Sequence, residues 1–290
     1  SDLTNSANVL QPFADPTDGH LGDIDDPSVK LGGSLVFEDR LIVSAYSYYD
    51  ADSSQSASHF ASSVSLASTT DADSPWVVAG SANSRSKAGY MTAIPPEWQQ
   101  SFGGPALTGN CCLAIIGASS AGPSATVFDP SEIGVVAGPA AGHTVLFYPL
   151  DNPTTGNGTV ANDIFMQSDV VAGVAFPPGT RSVLFIGTHG KGEYCYGPGT
   201  TDPSLHGQPD GEGNVWCYDL VSSSKGTHAF PYVHQVWAYD AHRLIEVKEG
   251  TREAWDVTPY ATFELTGVAE DGGASIAGAT FDPGTGRLFL

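Results

Sequence analysis

Basic residues are scarce in this chain: Lys and Arg together number 11 against 32 Asp and Glu in 290 residues, a net charge of −21. So acidic a surface repels phosphate backbones and anionic lipid headgroups, which argues against nucleic acid and against the membrane surface as partners. Long apolar runs are lacking too, and no stretch approaches the roughly 18 residues of a helical membrane span. There is no Gly-x-Ser-x-Gly elbow, Walker loop, His-Glu-x-x-His or Gly-x-Gly-x-x-Gly. These absences argue against the common serine esterases, nucleoside triphosphatases, zinc peptidases and dinucleotide enzymes. Helical patterning is missing except around residues 242–248.

Cysteines number only four, Cys111, Cys112, Cys195 and Cys217. An even set suits disulfides in an oxidising compartment, and neither a structural zinc spacing nor a haem motif is present. Three pairings are open. Adjacent Cys111 and Cys112 can close on each other and impose a rigid turn, or each can reach a distant partner. A Cys195–Cys217 bridge would staple the Gly-, Pro- and Asp-rich stretch between them, contributing about 3 kcal/mol. The sequence opens on Ser rather than Met. With the cysteines, this predicts an export signal already removed and a protein working outside the cell or at its surface.

What the chain has in quantity is short strands and turns, with 41% hydrophobic residues to build a core. Residues 171–189 spell a hairpin: an apolar run ends at Phe176, Pro177-Pro178-Gly179-Thr180 reverses the chain, and Val183-Leu184-Phe185-Ile186 returns. The pattern recurs around Phe37, Phe128 and Phe281, at multiples of roughly 45 to 50 residues. Another strand, from Tyr90, breaks at Pro95-Pro96. The fold class expected is therefore all-β, a β-propeller of about five to seven four-stranded blades, with a β-sandwich as the competing architecture. A Pro- and Asp-rich arm covers residues 1–31, and the propeller covers 32–290. Leu290 falls two strands into a further unit. The arm, a missing continuation, or a strand from a second molecule would complete it, the last making the protein self-assemble through an open strand edge.

Several segments could carry chemistry. The glycine-rich stretch 187–197 gathers His189, Lys191, Glu193, Tyr194 and Tyr196, and a His beside a carboxylate suits acid–base work near neutral pH. Asp25-Asp26-Pro27 stands just before the first strand, where propeller glycosidases place a carboxylate that points into the central cavity. Asp26 would then need a second carboxyl, from Glu193, Asp240 or Glu97, roughly 5 to 9.5 Å away. Asp210-Gly211-Glu212-Gly213-Asn214 alternates oxygen ligands with glycine as calcium loops do, and Asp23, Asp25 and Asp26 form a second acidic cluster. Val215-Trp216-Cys217-Tyr218-Asp219 and Val236-Trp237-Ala238-Tyr239-Asp240 repeat one pattern. Such stripes form sheet-to-sheet core or, at Trp237, an aromatic platform for a sugar together with Lys191 and Tyr196. Asn157-Gly158-Thr159 is a glycosylation sequon in a surface loop.

Parts of the chain resemble large secreted bacterial proteins of β-propeller type. The resembling parts are Ile94-Pro95-Pro96-Glu97-Trp98, Phe102-Gly103-Gly104-Pro105, Arg181-Ser182-Val183-Leu184-Phe185, Cys195-Tyr196-Gly197 and Gln235-Val236-Trp237-Ala238-Tyr239-Asp240. The resemblance implies the fold and an extracellular setting, a chain that continues past Leu290, and no particular activity. The expected function is an extracellular binding or structural interaction module with a carbohydrate or protein ligand and calcium as the candidate cofactor. The alternative is a carbohydrate hydrolase with paired carboxylates in the central cavity.

Overall fold

The computed structural model describes residues 14–24, 26–50, 52–65, 72, 74–80, 83–112, 119–160, 162, 164–267 and 276–290. Asp25, the apolar run 113–116 and arm residues 1–13 lie outside these.

The first sheet is an antiparallel meander of β1 (Val29–Phe37), β2 (Arg40–Ser47), β3 (Ala57–Ser63) and β4 (Trp76–Val77). Glu38 turns β1 into β2 at φ 56°, pairing Phe37 with Arg40. The arm's last residues, Val29 to Leu31, belong to β1 and pair with Ser47 to Ala45. The second meander comprises β5 (Tyr90–Ala93), β6 (Ala106–Gly109), β7 (Ala125–Phe128) and β8 (Gly142–Leu146). Between β5 and β6 the double proline does more than end a strand. Pro96 is the first residue of helix α1 (Pro96–Phe102), where its fixed φ suits the helix and its missing N–H is not needed.

The third sheet opens with β9 (Val170–Ala175) and β10 (Ser182–Gly190), the hairpin read from the sequence. The chain then leaves as a ribbon made of β11 (Cys195–Thr200), β12 (Cys217–Tyr218) and β13 (Lys225–His228). It returns in β14 (Tyr232–Asp240), passes through α2 (Ala241–Lys248), and adds β15 (Ala261–Glu264). The side chain of Asp240 caps α2 by accepting the His242 N–H at 3.1 Å, so the one helix expected from the pattern is present. Hairpin β16 (Thr280–Asp282) and β17 (Arg287–Phe289) follows.

The sheets pack face to face in series. Leu35, Phe37, Ile42 and Trp76 of the first meet Met91 and Phe128 of the second. Tyr90, Val127 and Leu146 of the second meet Phe185, Trp237 and Tyr239 of the third. Ile186 and Val236 of the third meet Phe281 and Leu288 of the hairpin. Leu21 and Ile24 of the arm cover Ala45 and Phe60 on the other face of the first sheet. Because both faces of the second and third sheets are covered, the two layers of a β-sandwich do not describe the molecule. First strands are neighbours throughout, β1 beside β5, β5 beside β9 and β9 beside β16.

The all-β expectation holds, but the period behind it needs correction. Phe37, Phe176 and Phe281 sit at first strands, whereas Phe128 ends the third strand of its sheet. The position matching Phe37 in the second sheet is taken by the Ala93-Ile94 step into α1. The described residues hold three four-stranded sheets, the ribbon and one hairpin, rather than five to seven regular units. The step from the third sheet to the last hairpin is the longest because the ribbon and α2 are inserted into the third.

First strands approach closely because they lack side chains there. A Cβ on Gly32 of β1 would lie 1.8 Å from the Ala88 carbonyl oxygen, and one on Gly173 of β9 would lie 2.4 Å from the Ala279 Cβ. Gly32→Ala is therefore expected to cost about 1–3 kcal/mol as backbones are forced apart. Gly226→Ala, whose added carbon meets nothing within 4 Å, is the control and should change stability by less than about 0.5 kcal/mol. Urea midpoints of the two variants measure this.

Two disulfides link Cys111 with Cys112 and Cys195 with Cys217. The first joins neighbours at a turn where Cys112 has φ 67°, and Cys111 packs into the core between the second and third sheets. The second ties β11 to β12 across the ribbon.

Candidate functional site

The ribbon separates the residues that the sequence groups together. His189 is buried and its Nδ1 meets Asp169 Oδ2 at 2.8 Å. That carboxylate also accepts the Gly190 and Met166 N–H groups, each at 2.9 Å, and burial raises its pKa against these bonds. Lys191 reaches the other way to Glu264 of β15 at 3.2 Å, an exposed pair worth little. Glu193 is exposed at the rim of a hollow of about 200 Å³ that it shares with His206, Tyr218, His228 and Phe230. Tyr194 donates to Gln167 Oε1 at 3.1 Å, and Tyr196 is exposed.

Asp26 accepts both the N–H and the hydroxyl of Ser28, at 2.6 and 2.5 Å, and the hydroxyl bond foremost lowers its pKa. It caps the turn into β1. Of the expected catalytic set, Asp26 holds a turn and His189 is paired with Asp169, while Glu193 stands exposed at the rim of the ribbon's hollow. Of the acids proposed to pair with Asp26, Glu97 accepts the Gly179 N–H at 2.6 Å, which lowers its pKa, the reverse of what a general acid needs. Asp240 caps α2 and lies 3.6 Å from Arg181. The cavity between the first strands, about 470 Å³, is lined by Gly32, Gly33, Tyr90, Met91, Ala172 and Gly173 with the 277–280 segment, and no Asp or Glu is among its described lining residues.

The segment expected to hold calcium is a hydrogen-bonded turn. Asp210 Oδ1 accepts the N–H groups of Glu212 and Asn214 at 2.7 and 2.9 Å, and its Oδ2 accepts the Asn214 side-chain amide at 2.9 Å. The alternation of oxygen residues and glycine encodes a self-capped turn. Asp23 binds His20 and Ser74. Among the described residues no group of three or more His, Cys, Asp or Glu is disposed to hold a metal ion. Asn157 is exposed and accepts from Thr159, so the sequon stands on a turn at the surface.

The paired aromatic stripes have different fates. Trp237 and Tyr239 lie in a central strand between stacked sheets at 1% and 0% exposure, so Trp237 is core and presents no face to a ligand. Trp216 and Tyr218, on the ribbon, are half-buried.

Two features escaped the sequence reading. One is a buried network in the ribbon. His228 Nδ1 meets Asp219 Oδ2 at 2.7 Å, and His228 Nε2 faces the carbonyls of Gly197 and Ser224 at 3.1 and 3.0 Å. Tyr232 donates its hydroxyl to the same carboxylate oxygen at 2.8 Å. Burial alone would raise the Asp219 pKa, but these bonds and the Val221 and Ser222 N–H groups lower it. With both imidazole nitrogens facing acceptors, His228 ties β13 to Asp219 and to β11.

The other is a groove of about 410 Å³ where the end of β8 meets the segment after α2, lined by Phe147, Val247, Arg252, Glu253 and Trp255. Its floor is held from two sides. Thr154 donates to the Trp255 carbonyl at 2.5 Å, and the Tyr148 hydroxyl donates to the Val257 carbonyl while accepting from Tyr239 at 3.0 Å. Arg252 Nε donates to Glu246 at 2.7 Å, and Arg243 binds the same carboxylate at 2.8 and 3.0 Å. That fixes the guanidinium while leaving its terminal amino groups without a protein partner among the described residues, as is the Glu253 carboxylate beside it. Phe147 and Trp255 are half-buried. Size and lining fall in the range of small-molecule sites.

The chain matches no protein-family model, no curated protein and no solved structure. Among the described residues no helix is long and apolar enough to cross a membrane.

Proposed function

We propose that this protein is an extracellular binding module of β-propeller type, and that its ligand occupies the groove between β8 and the segment after α2. The groove carries this reading: a guanidinium fixed on Glu246, the exposed Glu253 carboxylate with no protein partner among the described residues, and two half-buried aromatic rings stand together on a floor held by hydrogen bonds. A guanidinium already positioned, with hydrogen-bonding capacity unused, binds without first being ordered. Serial stacking of the sheets and the adjacency of first strands support a radial arrangement. The two disulfides are compatible with an oxidising compartment. Recognition is favoured over hydrolysis because no Asp or Glu is among the described lining residues of the cavity between the first strands, and Glu97 is tied to the Gly179 N–H.

A thermal-shift screen of soluble polysaccharides and peptides tests the assignment. At least one ligand should raise the melting temperature of the wild type by several degrees at about a hundredfold excess over its Kd. The same ligand should leave Trp255→Ala unshifted. Equal shifts in both proteins, or none in either, would remove the groove from consideration.

A further inference from the structure

We infer that the groove takes a neutral saccharide, its sugar ring laid against Trp255 and Phe147 and its hydroxyls shared between Arg252 and Glu253. This rests on reading the groove as the ligand site. The terminal amino groups of Arg252 only donate and the Glu253 carboxylate only accepts, and both lack protein partners among the described residues. Neighbouring hydroxyls on a pyranose do both, so one sugar satisfies the two groups at once. The C–H face of the ring is apolar and suits the half-buried aromatic side chains of Phe147 and Trp255. Arg252 and Glu253 cancel in charge at the site, and the chain as a whole is at −21. A uronate or sulfated polymer would be repelled by that field, while a cationic ligand would meet the guanidinium.

Titration calorimetry on the full chain tests this with neutral gluco-, manno-, galacto- and xylo-configured hexasaccharides, a uronic acid hexasaccharide and a zwitterionic hexapeptide. At least one neutral sugar is expected to bind with an affinity that changes little between about 50 and 500 mM salt, since no net charge is exchanged. Trp255→Ala should weaken it about tenfold or more, and Glu253→Gln by a smaller factor, with circular dichroism unchanged in both. Arg252→Lys keeps the charge and loses the fork, so it should also weaken binding. Neutral binding that all three variants leave untouched would overturn the inference. So would binding of the uronate or the peptide alone, with salt-sensitive affinity, although a peptide lost in Trp255→Ala would leave the binding-module reading standing. Silence from every probe here, with a blank thermal-shift screen, would end both.

Discussion

Lowering the pH from about 7 to about 4 is expected to remove about 3 kcal/mol of unfolding free energy through one side chain, His59. This imidazole is fully buried on β3 and satisfied as a neutral ring. Ser58 Oγ meets its Nδ1 at 2.8 Å, its Nε2 meets Thr108 Oγ1 at 3.0 Å, and Thr108 in turn donates to the Lys87 carbonyl. Burial first, and then the charge of Lys87, push its pKa down to about 3. An unfolded His titrates near 6.5. Between those values the unfolded chain binds the extra proton, so stability rises with pH. The contribution is complete above about 6.5 and is lost as pH falls toward about 3. Urea denaturation of the wild type and His59→Gln at several pH values isolates the effect, because Gln keeps a donor and an acceptor but cannot charge. The wild type should lose stability more steeply than the variant across that window. Parallel losses would show that His59 is not the group responsible.

Trp237→Ala is expected to destabilise the protein by about 3–5 kcal/mol, as for other buried aromatic truncations. The indole lies at the centre of the third sheet, cross-strand from Phe185, with the His189 ring 6.0 Å away. Its Nε1 has no hydrogen-bond partner among the described residues. Trp237→Phe should therefore cost less than about 2 kcal/mol, since the lost packing is partly offset by removing a buried unpaired donor. Urea midpoints for the two variants give the comparison, and equal losses would mean that the N–H is satisfied. Any ligand held in the groove should bind Trp237→Phe as it binds the wild type, because Trp237 is not among the groove's lining residues.

Trp237 also shows where the sequence could be read and where it could not. Val-Trp-Ala-Tyr-Asp announces a strand, but its local pattern equals that of the half-buried Trp216 segment. Only the covering of both sheet faces decides between core and platform. Hairpins with explicit turn chemistry, such as Phe176-Pro177-Pro178-Gly179, were legible because Pro and Gly fix the reversal locally. Phe128 misled because its turn looks the same whether it joins first to second or third to fourth strands. Helix α1 was hidden because Pro96 reads as a breaker and acts as a starter. His59 sits in a stretch rich in Ser and Ala, and its network comes from Thr108 and Lys87, distant in sequence. The groove had no local signal at all. Phe147, Val247 and Trp255 come from different segments, and what unites them is the docking of α2 against the second sheet.

The ribbon between β10 and β14 has a consequence for how such a chain can vary. Gly190 pairs with Tyr232, Lys191 and Gly192 donate to the Pro231 and Ala229 carbonyls, and Cys195 pairs with His228, so both arms leave the third sheet in step. Residues gained or lost between Thr200 and Cys217, at the tip, do not alter which face of the sheet any residue nearer the base occupies. The appendage can lengthen, shorten or be exchanged like a tool on a handle while the stacked sheets beneath keep their register.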